Sequence, residues 1–224
     1  PVFKVASADL TNLPLLAHIA EKKKPVIMST GMSTLEEIDE AVETVLAKNK
    51  NLILMHTVSD YPCTEDKVNL RMIEVLKKRY DLPVGYSGHE TGIAIPVAAR
   101  ALGAVIIEKH FTLDRAMRGP DHAASLEPEG LRRVVKYIRV AVDPAMGDGI
   151  KKITENELKS RAKLAKSVAA RVRIPKGTAI TADMLTIKGP GTGLKTKYLP
   201  TLVGKSAQVD IGEDTLIPTE ALDW

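Results

Sequence analysis

The stretch from Val84 to Asp121 decides the fold, and it reads VGYSGHETGIAIPVAARALGAVIIEKHFTLDRAMRGPD. A short apolar run, Val84–Tyr86, ends at Ser87-Gly88-His89, and a helical pattern follows. A second apolar run, Val105–Ile107, ends at Glu108-Lys109-His110. This order predicts a βα unit and the strand after it, with one imidazole at the carboxyl end of each strand. In parallel α/β folds, catalytic and binding residues collect at that edge.

His89 and His110 are therefore candidate ligands of one divalent metal ion. Neighbouring parallel strands lie ~4.8 Å apart, so two side chains at their ends can reach the same ion. The spacing alone is equally compatible with two unrelated histidines that end their strands.

The alternation of apolar runs and helical patterns extends over the first 142 residues and predicts five strands, each followed by a helix. The strands are predicted at Val2–Ala6, Pro25–Ser29, Leu52–His56, Val84–Tyr86 and Val105–His110. The helices are predicted at Leu13–Lys22, Thr34–Lys48, Val68–Tyr80, Gly92–Leu102 and Pro128–Val142, with a capping box at Ser33–Glu36 before the second. This pattern predicts an α/β fold whose parallel strands are buried on both faces.

A complete (β/α)₈ TIM barrel takes about 250 residues. The five units therefore predict a partial barrel from which about three upstream units are missing, since an isolated piece would leave two open parallel edges. The chain also opens at Pro1 within a strand-like run and without an initiator Met. We expect it to be the later portion of a longer protein, either a natural fragment or a truncated form.

The pattern changes after the predicted barrel portion, residues 1–147. Residues 148–166 are predicted to be a linker with a charged helix at Glu155–Lys166. Residues 167–224 are predicted to form a small β-rich domain, with strands at Val168–Ile174, Ala179-Ile180, Val203–Val209 and Thr215–Pro218.

Composition narrows the class of protein. Hydrophobic residues make up 44% and charged residues 27% of the chain, as in ordinary globular proteins. The net charge of +4 is spread over predicted helix faces, and 4% aromatic residues offer little for nucleic-acid stacking, so we expect no nucleic-acid partner. Neither a membrane span nor a signal peptide is evident. The single Cys63 fits a reducing compartment, and we expect a cytoplasmic protein.

Several short motifs, in order along the chain, resemble those of the N-acetylneuraminate (sialic acid) synthase family. They are Lys4-Val5-Ala6-Ser7, Ser29-Thr30-Gly31-Met32, Thr57–Pro62, Gly85–Glu90, Glu108–Asp114, Gly119–His122 and Ser125–Pro128. The tail resembles the family's antifreeze-like (SAF) domain through Lys166-Ser167-Val168, Ile174–Thr178 and Leu202–Lys205. In the family's barrel, this chain would supply strands four to eight.

The resemblance implies a transferase that condenses phosphoenolpyruvate with N-acetylmannosamine or a related sugar. Phosphoenolpyruvate would add through C3 to the sugar aldehyde, water would attack C2, and phosphate would leave to give a nine-carbon 2-keto acid. The sugar stays open among N-acetylmannosamine, its 6-phosphate (as in an N-acylneuraminate-9-phosphate synthase) and a diamino sugar (as in a legionaminic or pseudaminic acid synthase). A different class, a non-catalytic carbohydrate-binding module, is the alternative.

The family pattern also implies roles for individual residues. His89 and His110 would bind a divalent ion and act in catalysis, and Mn²⁺ is the family's usual ion, with Mg²⁺ or Co²⁺ as alternatives. Asp9 would be either an acid/base group or a ligand of a sugar hydroxyl, and Glu90 would pack near the metal. Lys109 could be a second cation for phosphoenolpyruvate, although as the neighbour of His110 on the strand it should point the opposite way. The substrate-binding positions that match are Lys4, Ser7, Ser29, Thr57, Ser59 and Ser87 for phosphoenolpyruvate, and Tyr61 and Asp121 for the sugar.

The family's assembly supplies the last expectation. In many members an Arg of the SAF domain reaches the sugar site of the partner subunit. The matching segment, Ile187–Gly193, has Gly189 at that place, so Lys188 is the candidate substitute. We therefore expect a homodimer with exchanged SAF domains.

Overall fold

The structure is a computed structural model that describes residues 1–221. The predicted end of the β-rich domain, at residue 224, lies outside the described residues. The chain forms two compact units, Pro1–Gly149 and a second that begins at Ile150, and each has its own hydrophobic core. Within the described part of the chain, no helix is both long and apolar enough to cross a bilayer.

The first unit contains one parallel sheet whose five strands follow each other in chain order. The strands are β1 (Phe3–Val5), β2 (Val26–Ser29), β3 (Leu52–Thr57), β4 (Val84–Gly88) and β5 (Ile107–Lys109). This confirms the predicted α/β fold and the partial barrel. The predicted ends of the first and last strands were wrong, because β1 and β5 are edge strands of this sheet and their ladders stop early.

Five helices follow the five strands, as predicted: α1 (Leu13–Glu21), α2 (Leu35–Leu46), α3 (Met72–Tyr80), α4 (Ala94–Ala101) and α5 (Pro128–Lys136). The capping box of α2 lies one residue later than predicted. Thr34, not Ser33, accepts from the Glu37 amide at 3.3 Å, and Glu37 accepts from the Thr34 amide at 2.8 Å. Thr34 has the extended backbone that an N-cap requires.

The predicted helix at Pro128–Val142 is wrong in its second half. The α-helix ends at Lys136, a π-helical turn follows at Tyr137–Val142, and α6 occupies Asp143–Met146. Pro144 supplies the reason, since it has no N–H to donate and its ring crowds the carbonyl one turn before it. A wider turn relieves that crowding.

The core of the first unit lies between the sheet and its helices. Leu54 on β3 is fully buried, and so are Leu16 of α1 and Leu76 of α3. At the surface, Asp39 of α2 joins α3 by accepting from Arg79 Nε and Tyr80 Oη, both at 2.8 Å. These bonds, chiefly the one from Arg79, lower the pKa of Asp39 to about 2.

The second unit begins with a polar helix, α7 (Glu155–Leu164), which buries none of its residues. A two-stranded antiparallel sheet follows, β6 (Ser167–Ala170) with β7 (Leu185–Lys188), together with a short helix, α8 (Leu199–Leu202). The predicted strands at Ala179-Ile180, Val203–Val209 and Thr215–Pro218 are wrong, and the one at Val168–Ile174 is too long. Those segments make isolated bridges, because close turns such as the one at Gly204 (φ +88°) leave no room for ladders.

Candidate active site

A cavity of about 350 Å³ lies at the carboxyl ends of the parallel strands. It is lined by most of the side chains that the sequence singled out: Lys4, Ser7, Ser29, Thr57, Ser59, Tyr61, Ser87, His89 and His110, with Ala6, Ala8, Met32 and Glu108 between them. The register Thr57↔Ser87 and Ser87↔Glu108 brings β3, β4 and β5 to the same level at this edge. The parallel topology therefore assembles residues that are 106 positions apart in sequence, from Lys4 to His110.

One side of the cavity brings together a lysine amine and several hydroxyl groups. The Lys4 amine donates to Ser29 Oγ at 2.9 Å, and the Gly31 amide donates to Ser7 Oγ at 3.1 Å. Gly31 is required by this packing, because a Cβ there would collide with Ser59 Oγ and lie 2.8 Å from Ser7 Oγ. A cation and several hydroxyls thus converge on one small space, which suits a carboxylate or phosphate.

Glu108 is a site residue that sequence reasoning missed. Its Oε1 accepts from Ser87 Oγ at 2.8 Å, and its Oε2 lies 3.5 Å from Lys4 Nζ. The Glu108 carboxylate therefore already contacts the hydroxyl of Ser87 and the amine of Lys4. Strand alternation was the signal that could have found it, because Glu108 lies two residues before His110 and so shares its face.

Thr57 contributes a second sign of a binding site. It is 5% exposed, and its Oγ1 is the one buried side-chain oxygen or nitrogen within residues 1–221 that has no hydrogen-bond partner. Leaving a buried hydroxyl unpaired costs about 1–3 kcal/mol. A ligand that hydrogen-bonds to this hydroxyl would recover that cost.

The two imidazoles lie side by side at the other end of the cavity. The ring centroids of His89 and His110 are 5.2 Å apart, with the planes 77° from each other. His89 Nδ1 lies 2.7 Å from the Val58 carbonyl, which can only accept, so Nδ1 carries the proton and Nε2 keeps its lone pair. Burial, together with the nearby His110, lowers the pKa of His89 and so favours the neutral ring.

These features fit a divalent metal ion in chemical terms. A neutral imidazole whose Nδ1–H is anchored to a carbonyl presents Nε2 as a ligand, which is the usual arrangement at metal sites. Among the described residues, no group of three His, Cys, Asp or Glu side chains is arranged to hold a metal. Two imidazoles would therefore leave the remaining coordination positions to water and substrate.

Tyr61 and Asp121 flank the imidazoles. The Tyr61 ring stacks on His89 with centroids 4.0 Å apart, and it meets His110 edge-on at 5.8 Å. Asp121 Oδ2 lies 3.6 Å from His110 Nδ1, although Asp121 itself is outside the cavity lining. Burial, followed by the charges of Asp121 and Glu108, raises the pKa of Tyr61.

Three candidates take other positions. Asp9 lies in a turn of 3₁₀ helix, Ser7–Asp9, after β1 and is not among the cavity-lining residues. Lys188 ends β7 in the second unit, where its amine pairs with Asp214. Lys109 points away from the cavity, as predicted, and its amine lies 3.0 Å from Glu90 Oε1.

The chain belongs to the NeuB family, whose profile matches residues 1–151, and the SAF domain profile matches residues 165–223. Both matches confirm the family resemblance. The chain is 43% identical to the N-acetylneuraminate-9-phosphate synthase of Homo sapiens, over 100% of this chain and 62% of that protein. It is 44% identical to the N,N'-diacetyllegionaminic acid synthase of Campylobacter jejuni, over 96% of this chain and 65% of that protein.

A solved structure is similar as well. The N-acetylneuraminic acid (sialic acid) synthetase of Leptospira borgpetersenii serovar Hardjo-bovis, in complex with citrate, is 39% identical with a TM-score of 0.66, over 71% of this chain and 55% of that chain. The chain thus spans less than two thirds of the length of these relatives.

Proposed function

We propose that the full-length protein is a sugar-acid synthase that condenses phosphoenolpyruvate with an N-acetylated amino sugar. The observation that carries the proposal is the single cavity in which a cation, five serine and threonine hydroxyls and two imidazoles meet at the ends of parallel strands. The relatives named as sialic and legionaminic acid synthases support it. A non-catalytic carbohydrate-binding module gives no reason for two imidazoles at neighbouring strand ends beside a lysine and several hydroxyl groups.

The anion side of the cavity would bind phosphoenolpyruvate. Lys4 supplies the positive charge, and Ser7, Ser29, Ser59 and Ser87 supply hydroxyls around it. The Thr57 hydroxyl gains its missing partner from the bound substrate. The Glu108 carboxylate has to yield Lys4 and Ser87 to the substrate, because two anions cannot share these donors at close range.

The reaction needs two proton transfers besides bond formation. When C3 of phosphoenolpyruvate joins the aldehyde carbon, the aldehyde oxygen becomes an alkoxide and must take a proton. When water attacks C2, it must release one before phosphate leaves. Glu108, which is a carboxylate paired with Lys4, can take the proton that the attacking water releases and pass it to the alkoxide. Asp9 is a second candidate for this acid/base role near the sugar.

His89 and His110 are the residues that would hold a divalent ion, Mn²⁺ in the first instance with Mg²⁺ or Co²⁺ as alternatives. Such an ion, when bound, supplies a Lewis acid for the aldehyde oxygen. Tyr61 covers the face of His89 and, with Asp121, offers polar groups to the sugar hydroxyls.

The sugar and the assembly are parts of the same proposal. The sugar is N-acetylmannosamine, its 6-phosphate or a diamino relative. The protein works in the cytoplasm, where the single free thiol of Cys63 is stable.

The SAF domain covers the sugar site of a second subunit in a homodimer. There, Lys188 leaves its pairing with Asp214 and contacts the sugar instead. Sedimentation velocity at assay concentrations should give a dimer, and a fully active monomer would contradict the exchange.

Replacing Lys4 tests the anion pocket. In the full-length protein, Lys4→Ala should raise the KM for phosphoenolpyruvate at least about tenfold and change the KM for the sugar little, because a charge-assisted bond contributes about 1.5–3 kcal/mol. Steady-state kinetics with each substrate varied in turn would measure both constants. Lys24→Ala, an exposed lysine outside the cavity, is the matched control. Equal changes for both substrates would contradict the assignment.

A further inference from the structure

A buried ion pair joins the loop after β4 to the last residue of β5. Lys109 Nζ lies 3.0 Å from Glu90 Oε1, and the two side chains are 2% and 0% exposed. The same amine donates to the Glu90 backbone carbonyl. The other carboxylate oxygen, Oε2, accepts from Tyr86 Oη at 2.6 Å. The polar atoms of this buried cluster therefore satisfy one another.

The cluster is directly bonded to the residues that carry the two imidazoles. Glu90 follows His89 in the chain, and Lys109 precedes His110. The two strand ends are paired at this level, with Gly88 opposite Lys109. The ion pair thus closes a short ring of covalent and non-covalent links, and both imidazoles project from it toward the cavity.

Two neighbouring features make room for the carboxylate and fix the backbone beside it. A Cβ at Gly88 would collide with the Glu90 carboxylate and lie 2.7 Å from the Tyr86 ring, so glycine makes the room for this carboxylate to fold back beneath the strand end. The Cys63 amide donates to the His89 carbonyl at 3.1 Å and ties the loop after β3 to the same point.

Stability alone does not account for such a pair. Taking both charges out of water costs several kcal/mol per ion, and apolar replacements of buried ion pairs are often as stable or more stable. What an ion pair adds over apolar packing is one defined geometry between two chain segments.

We propose that the Glu90–Lys109 pair is a positioning device that sets the separation and orientation of the His89 and His110 imidazoles. The inference rests on the proposed function, because the shared metal ion is what makes that separation matter. Glu90 and Lys109 are positioning residues, since they act through their neighbours and do not line the cavity.

The test replaces the whole cluster by apolar groups of similar size, in the variant Tyr86→Phe/Glu90→Leu/Lys109→Met of the full-length protein. Crystal structures of the unmodified protein and the variant give the separation of the ring centroids, which is 5.2 Å here. We expect the separation to change by more than 1 Å, or one ring to adopt a second rotamer. Mn²⁺ affinity, measured by the electron paramagnetic resonance signal of free Mn²⁺, should fall about 10–100-fold, as when groups that orient metal ligands are removed.

A milder variant and a control complete the design. Glu90→Gln keeps the shape and removes the charge, so it decides the question if the triple variant does not fold, and it should weaken Mn²⁺ binding several-fold. Leu16→Ala, in the core of the same unit, should lower stability without changing Mn²⁺ affinity or the ring separation.

The outcomes separate this inference from the proposed function. A folded triple or Gln variant with both rings unmoved would overturn the positioning role, whether or not Mn²⁺ binds. Failure of the unmodified protein to bind Mn²⁺ would overturn the metal site, and the ring geometry of the variants would still decide the positioning role.

Discussion

His110→Ala should abolish most of the condensation activity of the full-length protein while leaving its fold intact. His110 is partly exposed at the end of β5, and the described contacts of its side chain are with Asp121, Tyr61 and His89, so its loss opens no core cavity. Removing one preorganised electrophilic group typically costs about 10²–10³ in kcat. We expect a loss of that size, together with loss of Mn²⁺ binding.

Steady-state kinetics and Mn²⁺ titration of the same preparations would measure both effects. His18→Ala, an exposed histidine on α1, is the matched control and should change neither. If His110→Ala keeps its activity, or loses activity while binding Mn²⁺ unchanged, the assignment of His110 as a metal ligand is wrong.

Lys109→Met should destabilise the α/β unit by about 3–5 kcal/mol, the loss expected when one partner of a buried ion pair is removed. The Glu90 carboxylate would remain fully buried, with Tyr86 Oη as its remaining side-chain donor in the described structure. Hydrogen exchange of the β3 amides, which lie in the core of this unit, would measure the free energy of opening without interference from the second unit.

Two comparisons make this prediction specific. Lys78→Met breaks the exposed pair with Glu74 on α3 and should cause a much smaller change. Adding Tyr86→Phe and Glu90→Leu to Lys109→Met should restore much of the loss, because no buried charge is then left unpaired. A Lys109→Met protein as stable as the unmodified one would mean that water reaches Glu90.

The sequence predicted the parallel sheet because its strands are continuous apolar runs separated by striped helices. Those signals are local, and burial on both faces of β3 and β4 agrees with them. The sequence predicted the strands of the second unit less accurately than those of the first. There, short apolar segments between turns are compatible with either ladders or single bridges, and only packing chooses between them. The N-cap of α2 is a similar case, because Ser33 and Thr34 are adjacent and both have a hydroxyl that can cap a helix.

The candidate site shows the same division. His89 and His110 were found because they stand at predicted strand ends, whereas the hydroxyl residues were found through the resemblance of their motifs to those of the family. Glu108 shares the alternation of His110, yet a charged residue before a strand end has many uses, and only its contacts with Ser87 and Lys4 place it in the cavity. The pairing of Lys109 with Glu90 depends on the space that Gly88 leaves for the carboxylate. Hydrophobic periodicity in the sequence carries no information about such a contact.

The most direct test of the account is the reaction itself, carried out with full-length protein and phosphoenolpyruvate labelled with ¹⁸O in the C2–O–P bridge. N-acetylmannosamine, its 6-phosphate and a diamino relative would be offered separately, with Mn²⁺, and the products followed by mass spectrometry. We expect a nine-carbon 2-keto acid from at least one sugar, with the label in the released phosphate because water attacks C2. We also expect that EDTA stops the reaction and that added Mn²⁺ restores it. No product from any of the sugars, or activity unchanged by EDTA, would contradict the proposed function.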